Sequence, residues 1–126
     1  MRRIDSMKFN EVKIIGAMFR GADRNYFVTF SNIVYISSNG RYSVLHTPDQ
    51  NLEVVGTLKQ TLQRLQSEKF VRVHKQYIIN MEFLGHVEYF TDGVHYAYMT
   101  DDEKSQVPVS RVYLPYTWPD QNKAEV

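Results

Sequence analysis

Apolar and polar residues alternate in short runs along most of the chain: Tyr26–Phe30, Ile33–Ser37, Tyr42–Thr47, Leu52–Val55, Val71–Val73, His86–Phe90, His95–Met99 and Gln106–Val109. A period of two in segments rich in β-branched and aromatic residues predicts strands that bury one side. Turn-forming pairs separate them: Ser31-Asn32, Asn39-Gly40, Pro48-Asp49 with Gln50-Asn51, Asp92-Gly93 and Asp101-Asp102. Asn-Gly and Asp-Gly accept the positive φ of tight hairpins, so neighbouring strands are expected to pair antiparallel. One stretch changes period. After Gly56, Thr57 can cap a helix over 58–65 in which Leu58, Leu62 and Leu65 recur at i, i+4 and i+7. Lys59, Gln60, Gln63 and Arg64 fall largely off that stripe, which predicts a helix lying on a sheet with its polar side in water. The pattern is that of a mainly β protein with one short α-helix.

The ends are patterned differently. Val12–Ile15 reads as a strand and Met18–Asn25, mixing glycine and charge, as a loop, so residues 1–25 are expected to form an N-terminal extension. At the other end Pro115 and Pro119 bracket Trp118, and only polar residues, Ala124 and Val126 follow. This predicts a packed Trp118 in a tail, 115–126, that then frays. No internal repeat or low-complexity tract is present.

With 126 residues, 43% hydrophobic and 13% aromatic, the chain is long and apolar enough for one globular domain without disulfides or metal. The absence of cysteine removes thiol nucleophiles, iron–sulfur ligation and every thiolate zinc site, and fits a reducing compartment. No apolar run reaches the roughly 18 residues of a membrane span, and the basic start has no apolar segment behind it, so a cytoplasmic protein is expected. Net charge is only +1, but it is segregated. Residues 1–24 hold six bases and three acids, residues 59–75 hold five bases and one acid, and residues 82–103 hold six acids and no Lys or Arg. Such a dipolar chain suits one face toward a polyanion and the other toward water.

Enzyme signatures are missing: there is no Gly-x-Ser-x-Gly, His-Glu-x-x-His, Gly-x-Gly-x-x-Gly or Walker-type loop. Asp101-Asp102-Glu103 would alternate faces in a strand and lacks the loop glycine of a calcium site, so neither metal nor cofactor is expected. The most informative stretch is Phe70–Asn80. Val71 and Val73 face one way, Arg72 and His74 the other, and Lys75-Gln76 fall where alternation stops, presenting cationic and polar groups around a bend. Groups of this kind suit phosphates and base edges. Arg72 also reads as a surface ion-pair residue, His74 as a hydrogen-bonded turn residue and Asn80 as a cap.

Five segments, in order, resemble the LytTR DNA-binding domain of bacterial transcription regulators. They are Asn32–Ile36, Ser38–Tyr42, Gly56-Thr57-Leu58, the Arg-x-His-x-x-Tyr-x-x-Asn run Arg72–Asn80, and Val107–Tyr113 with its Pro-Val-Ser-Arg core. The resemblance covers about residues 26–114. It implies an elongated fold of small antiparallel sheets with one short α-helix, binding double-stranded DNA through loops, with direct-repeat promoter sites and a dimer on DNA. It places contacts at Arg41, Tyr42 and Ser43, at His74 and Lys75, and at Arg111, with Arg72 on backbone phosphate, Tyr77 in the core and Asn80 holding the loop. Ser110 can cap a final helical turn that carries Arg111 toward phosphate or guanine. Two other classes remain open: a β-sheet protein-interaction module anchored by some of the nine tyrosines, and a single-stranded RNA binder using an aromatic sheet face. The chain reads equally as a stand-alone regulator or as the output domain of a longer one.

Overall fold

The computed structural model describes residues 14–90, 94–113 and Trp118. Among these residues ten strands follow in chain order: β1 (Gly16–Arg20), β2 (Asn25–Thr29), β3 (Tyr35–Asn39), β4 (Tyr42–His46), β5 (Asn51–Val55), β6 (Phe70–His74), β7 (Tyr77–Asn80), β8 (Leu84–Tyr89), β9 (His95–Met99) and β10 (Gln106–Val109). Among the described residues one α-helix, α1 (Leu58–Leu65), lies between β5 and β6, and short 3-10 turns occupy Phe30–Asn32, Met81–Phe83 and Arg111–Tyr113. The strands form a β1-β2 hairpin, a five-stranded sheet ordered β5-β4-β3-β7-β6 and a three-stranded sheet ordered β10-β9-β8. Every pairing is antiparallel. The mainly β architecture with one helix is therefore as the alternation predicts. Among the described residues no helix is long and apolar enough to cross a membrane.

Alternation along the central strands builds two cores. Ile36, Leu45, Val54 and Ile78 point to one face, where Leu58 and Leu65 of α1 and Phe19 and Val28 of the hairpin cover them. Val73 and Ile79 point to the other, against Ala97 and Met99 of β9 and Val107 and Val109 of β10. The molecule is thus layered, with the five-stranded sheet between the helix-and-hairpin layer and the three-stranded sheet. Trp118 packs against the second core, as expected, while the tail expected to fray lies outside the described residues.

The helix runs over the predicted span because its start is doubly capped. Thr57 Oγ1 accepts from Gln60 N–H at 3.2 Å, and Gln60 Oε1 accepts from Thr57 N–H at 3.0 Å. It ends where Gln66 turns left-handed, with φ 49°.

Three expectations are corrected, and one strand has no counterpart in the alternation pattern. Met18–Arg20 belongs to β1 and is not loop: Phe19 pairs with Tyr26 and is buried, a signal hidden by the flanking glycine and arginine. Of the strand expected at Val12–Ile15, Ile14 and Ile15 stand outside β1 and exposed, and the first two residues lie outside the described region. The strand expected over Ile33–Ser37 is displaced to Tyr35–Asn39, because Ile33 N–H closes the preceding 3-10 turn onto Phe30 O. Tyr77–Asn80 is a full strand, hidden because Ile78 and Ile79 are buried on opposite faces and leave no alternation to read. The Asp92-Gly93 turn lies outside the described residues.

Candidate nucleic-acid interface

Antiparallel registers decide which turns share an end of the central sheet. Asn39 pairs with Tyr42 at the tip of the β3–β4 hairpin, where Gly40 takes φ +64°. On the other side of β3, Ser37 pairs with Tyr77, the first residue of β7, and Ser38 N–H donates to Gln76 O at 3.0 Å. The Lys75-Gln76 turn therefore stands beside the Gly40-Arg41 turn, about two strand spacings (~10 Å) away. Tyr42 also pairs with Val55, and Gly56, at φ +129°, brings its N–H to Arg41 O at 2.9 Å. The start of α1 thus lies at the same end.

The third segment is tied on from β10. Ser110 N–H donates to Val73 O at 2.7 Å, and the turn Arg111–Tyr113 is closed by Tyr113 N–H on Ser110 O at 2.9 Å. Ser110 Oγ accepts from Val112 N–H at 3.3 Å, the capping role read from the sequence. Across this junction Arg72 acts as a strut. Its Nε donates to His74 O at 3.3 Å and its Nη2 to Lys75 O, while the guanidinium lies 5.5 Å from the centre of the Tyr113 ring. A register shift between Arg72 and His74 lets the strand end bend into this arrangement. Arg41, Lys75 and Arg111, remote in sequence, are each exposed, on turns that these registers and backbone bonds bring to the same end of the sheet.

The remaining candidates divide. Tyr42 is 43% exposed beside Arg41. Ser43 is fully buried: its Oγ donates to Gly56 O at 2.8 Å and lies 3.0 Å from Thr61 Oγ1, so it locks β4 to the helix and does not present its hydroxyl outward. That follows from strand alternation, which sends Tyr42 and Ser43 to opposite faces. Arg72, expected on phosphate, directs these donors onto its own turn's carbonyls. His74 Nδ1 accepts from Gln76 N–H at 3.0 Å and its ring meets Tyr77 edge-on, the turn-forming alternative. Asn80 is 1% exposed and holds the chain from inside. Sequence reasoning missed the role of Tyr113, whose aromatic ring three residues after Ser110 was its only signal.

Two histidines near this sheet carry a pH signature. Burial pushes the His46 pKa down, partly opposed by its hydrogen bond with Asn51 and by Glu103, and burial with the Arg72 charge pushes down His74. Both take up a proton less readily in the fold than in the unfolded chain, so as pH falls through the ordinary imidazole value of about 6.5 the unfolded chain takes up protons first. Stability is expected to be full above that pH and to fall below it, levelling once the folded-state pKa values are passed. A denaturation midpoint no lower at pH ~5.5 than at ~7.5 would contradict this.

Comparison with known proteins bears on the family and the fold. A family model described as the LytTr DNA-binding domain matches residues 23–116. Among curated proteins, the sensory transduction protein LytR of Staphylococcus epidermidis is 27% identical over 92 residues, covering 73% of this chain and 36% of that protein. LytT of Enterococcus faecalis is 27% identical over 95 residues, 75% of this chain and 38% of that protein. The transcriptional regulatory protein LytR of Staphylococcus aureus is 26% identical over 85 residues, 68% and 35% of the two chains. The chain thus spans little more than a third of the length of these relatives. Among solved structures, the LytTr DNA-binding domain of a methyl-accepting/DNA response regulator from Bacillus cereus superposes with a TM-score of 0.67 at 20% identity, covering 80% of this chain and 91% of that one. With its sheets in this order and a family model matched across three quarters of its length, the chain belongs to the LytTr DNA-binding domain family.

Proposed function

We propose that this chain is the DNA-reading part of a bacterial transcription regulator working in the cytoplasm, and that it binds duplex DNA without catalysis through the row Arg41, Lys75 and Arg111, with Tyr42 shaping the first loop. The observation that carries this reading is the convergence of three separately encoded turns on one end of the central sheet, each fixed by backbone hydrogen bonds. A rigid row of cations spaced by strand separations matches a line of phosphates and groove edges, and loops that protrude from a sheet end can enter a groove about 12 Å wide. Arg111 is the base reader, since its planar fork matches the two acceptors of guanine. Lys75 and Arg41 serve phosphate. Ser43 and Arg72 support the row from behind it.

Limited phosphate contact makes a single domain a weak, salt-sensitive binder that gains strength on direct repeats. Binding to duplex DNA, single-stranded DNA and RNA at matched salt tests the class. Preference for the duplex, with affinity falling steeply between ~50 and ~200 mM salt, is expected. Equal or tighter binding to a single strand, or no salt dependence, would overturn it.

A further inference from the structure

The two outer layers carry opposite charge and complementary apolar surface. In the helix-and-hairpin layer, residues 14–30 and 56–67 hold Arg20, Arg24, Lys59 and Arg64 against one acid, Asp23. The hairpin's outward face centres on Met18 and Phe27, cross-strand partners 48% and 58% exposed, with Arg20 on the same side of β1. On the far side of the molecule, the three-stranded sheet carries Glu88 on β8, and its β9–β10 turn carries Asp102 and Glu103 against Lys104, with Asp101 buried and turned onto Ser105. Ala97, Met99, Val107 and Val109 point inward there, so the alternation turns His86, Glu88, Tyr96, Tyr98 and Pro108 outward. His86 stacks on Tyr98 at 4.8 Å and meets Glu88 Oε2 at 3.0 Å, while Phe90, 43% exposed, packs edge-on against Tyr96.

An aromatic face with a carboxylate at its centre is a receptor for arginine, through charge and through cation–π contact. An apolar pair beside arginine is its complement. The row of DNA-contacting turns runs from the start of α1 to the turn leaving β10, that is, from one of these layers toward the other. Two copies placed in the same orientation along that row meet with unlike faces, as a heterologous contact.

We propose that the outer face of the three-stranded sheet docks the β1–β2 hairpin of a second copy of this chain bound in tandem on DNA. The proposal rests on the DNA-binding reading above. Unlike charge brings the copies together, and the tyrosines and Met18–Phe27 supply the apolar contact. The carboxylates of the sheet would repel a nucleic acid strand, which argues against a single-stranded RNA on the same aromatic surface.

The test uses duplexes enriched by this chain from a random pool and rebuilt with one site, or with two in the same orientation about one and two helical turns apart. Tighter binding of the second copy is expected, by fivefold or more at the favoured spacing. Arg20→Glu and Glu88→Arg should each abolish that advantage while leaving single-site affinity within about twofold, and the two changes combined in one chain should restore it. An unmodified chain with no tandem advantage, single changes without effect, or a combination that fails to recover would each overturn the proposal. Self-association by sedimentation at high protein concentration without DNA, weakened by each change and regained in the combination, separates failure of this contact from failure of DNA binding.

Discussion

Replacing Asn80 with alanine is expected to cost about 3 kcal/mol or more of folding stability, a large share of the roughly 5–15 kcal/mol that holds a domain together. The side chain is 1% exposed and fully employed. Its Nδ2 donates to Ile33 O at 2.9 Å and to Phe30 O at 3.3 Å, and its Oδ1 accepts from Glu82 N–H at 2.9 Å. One amide thus ties the turn between β2 and β3 to the end of β7 and caps the 3-10 turn that leads into β8. Truncation leaves Ile33 O and Phe30 O without this donor where little water can reach, each such loss costing about 1–3 kcal/mol, and removes the cap from the part-buried Glu82 N–H. A denaturant midpoint giving a loss below ~1 kcal/mol would show that solvent or a rearranged turn replaces these bonds. DNA contacts are not altered directly, so at temperatures where the variant remains folded its selectivity should be that of the unmodified chain.

The same residue shows how far the sequence could be read. The Arg-x-His-x-x-Tyr-x-x-Asn run marked Asn80 as a loop-holder, which it is, but the run could not say that both carbonyls it holds come from the chain almost fifty residues earlier. Hairpins with a clean period of two, such as β4–β5 and β9–β10, and the capped helix over 58–65 were legible because local pattern and tertiary burial agree there. β7 was not, because a strand buried on both faces loses its period, and β1 was not, because Phe19 is its single fully buried residue among glycine, alanine and arginine. In the site, the sequence supplied the cations but not their support. Ser43 sits next to two exposed residues and is turned inward by strand alternation, and Arg72 is drawn onto its own turn by carbonyls that only the bend at His74 brings within reach. Convergence of positions 41, 75 and 111 depends on strand order, which a one-dimensional pattern does not contain.

Arg111→Ala is expected to lose about 1–3 kcal/mol of binding to a preferred duplex and much less to a scrambled one, because a bidentate base contact carries selectivity that a phosphate contact does not. Arg111→Lys keeps the charge but not the planar fork, so it should lose selectivity while retaining most of the non-specific affinity. Lys75→Gln should instead weaken both duplexes by a similar factor. Two other lysines provide matched controls. Lys69 precedes β6 and Lys104 lies in the turn between β9 and β10, so both stand at the opposite end of the strands whose far ends lead to Lys75 and Arg111.

The most direct measurement is therefore binding of Lys75→Gln/Arg111→Gln and of Lys69→Gln/Lys104→Gln, which remove the same formal charge from opposite ends of the molecule, to a duplex enriched by the unmodified chain and to a scrambled duplex of equal length. The interface described here predicts that the first pair loses at least about a hundredfold in affinity for the enriched duplex, together with most of its preference over the scrambled one, while the second pair stays within a few-fold of the unmodified chain. Equal losses from the two pairs, or a larger loss from Lys69 and Lys104, would mean that DNA does not lie along the row of turns formed by Arg41, Lys75 and Arg111.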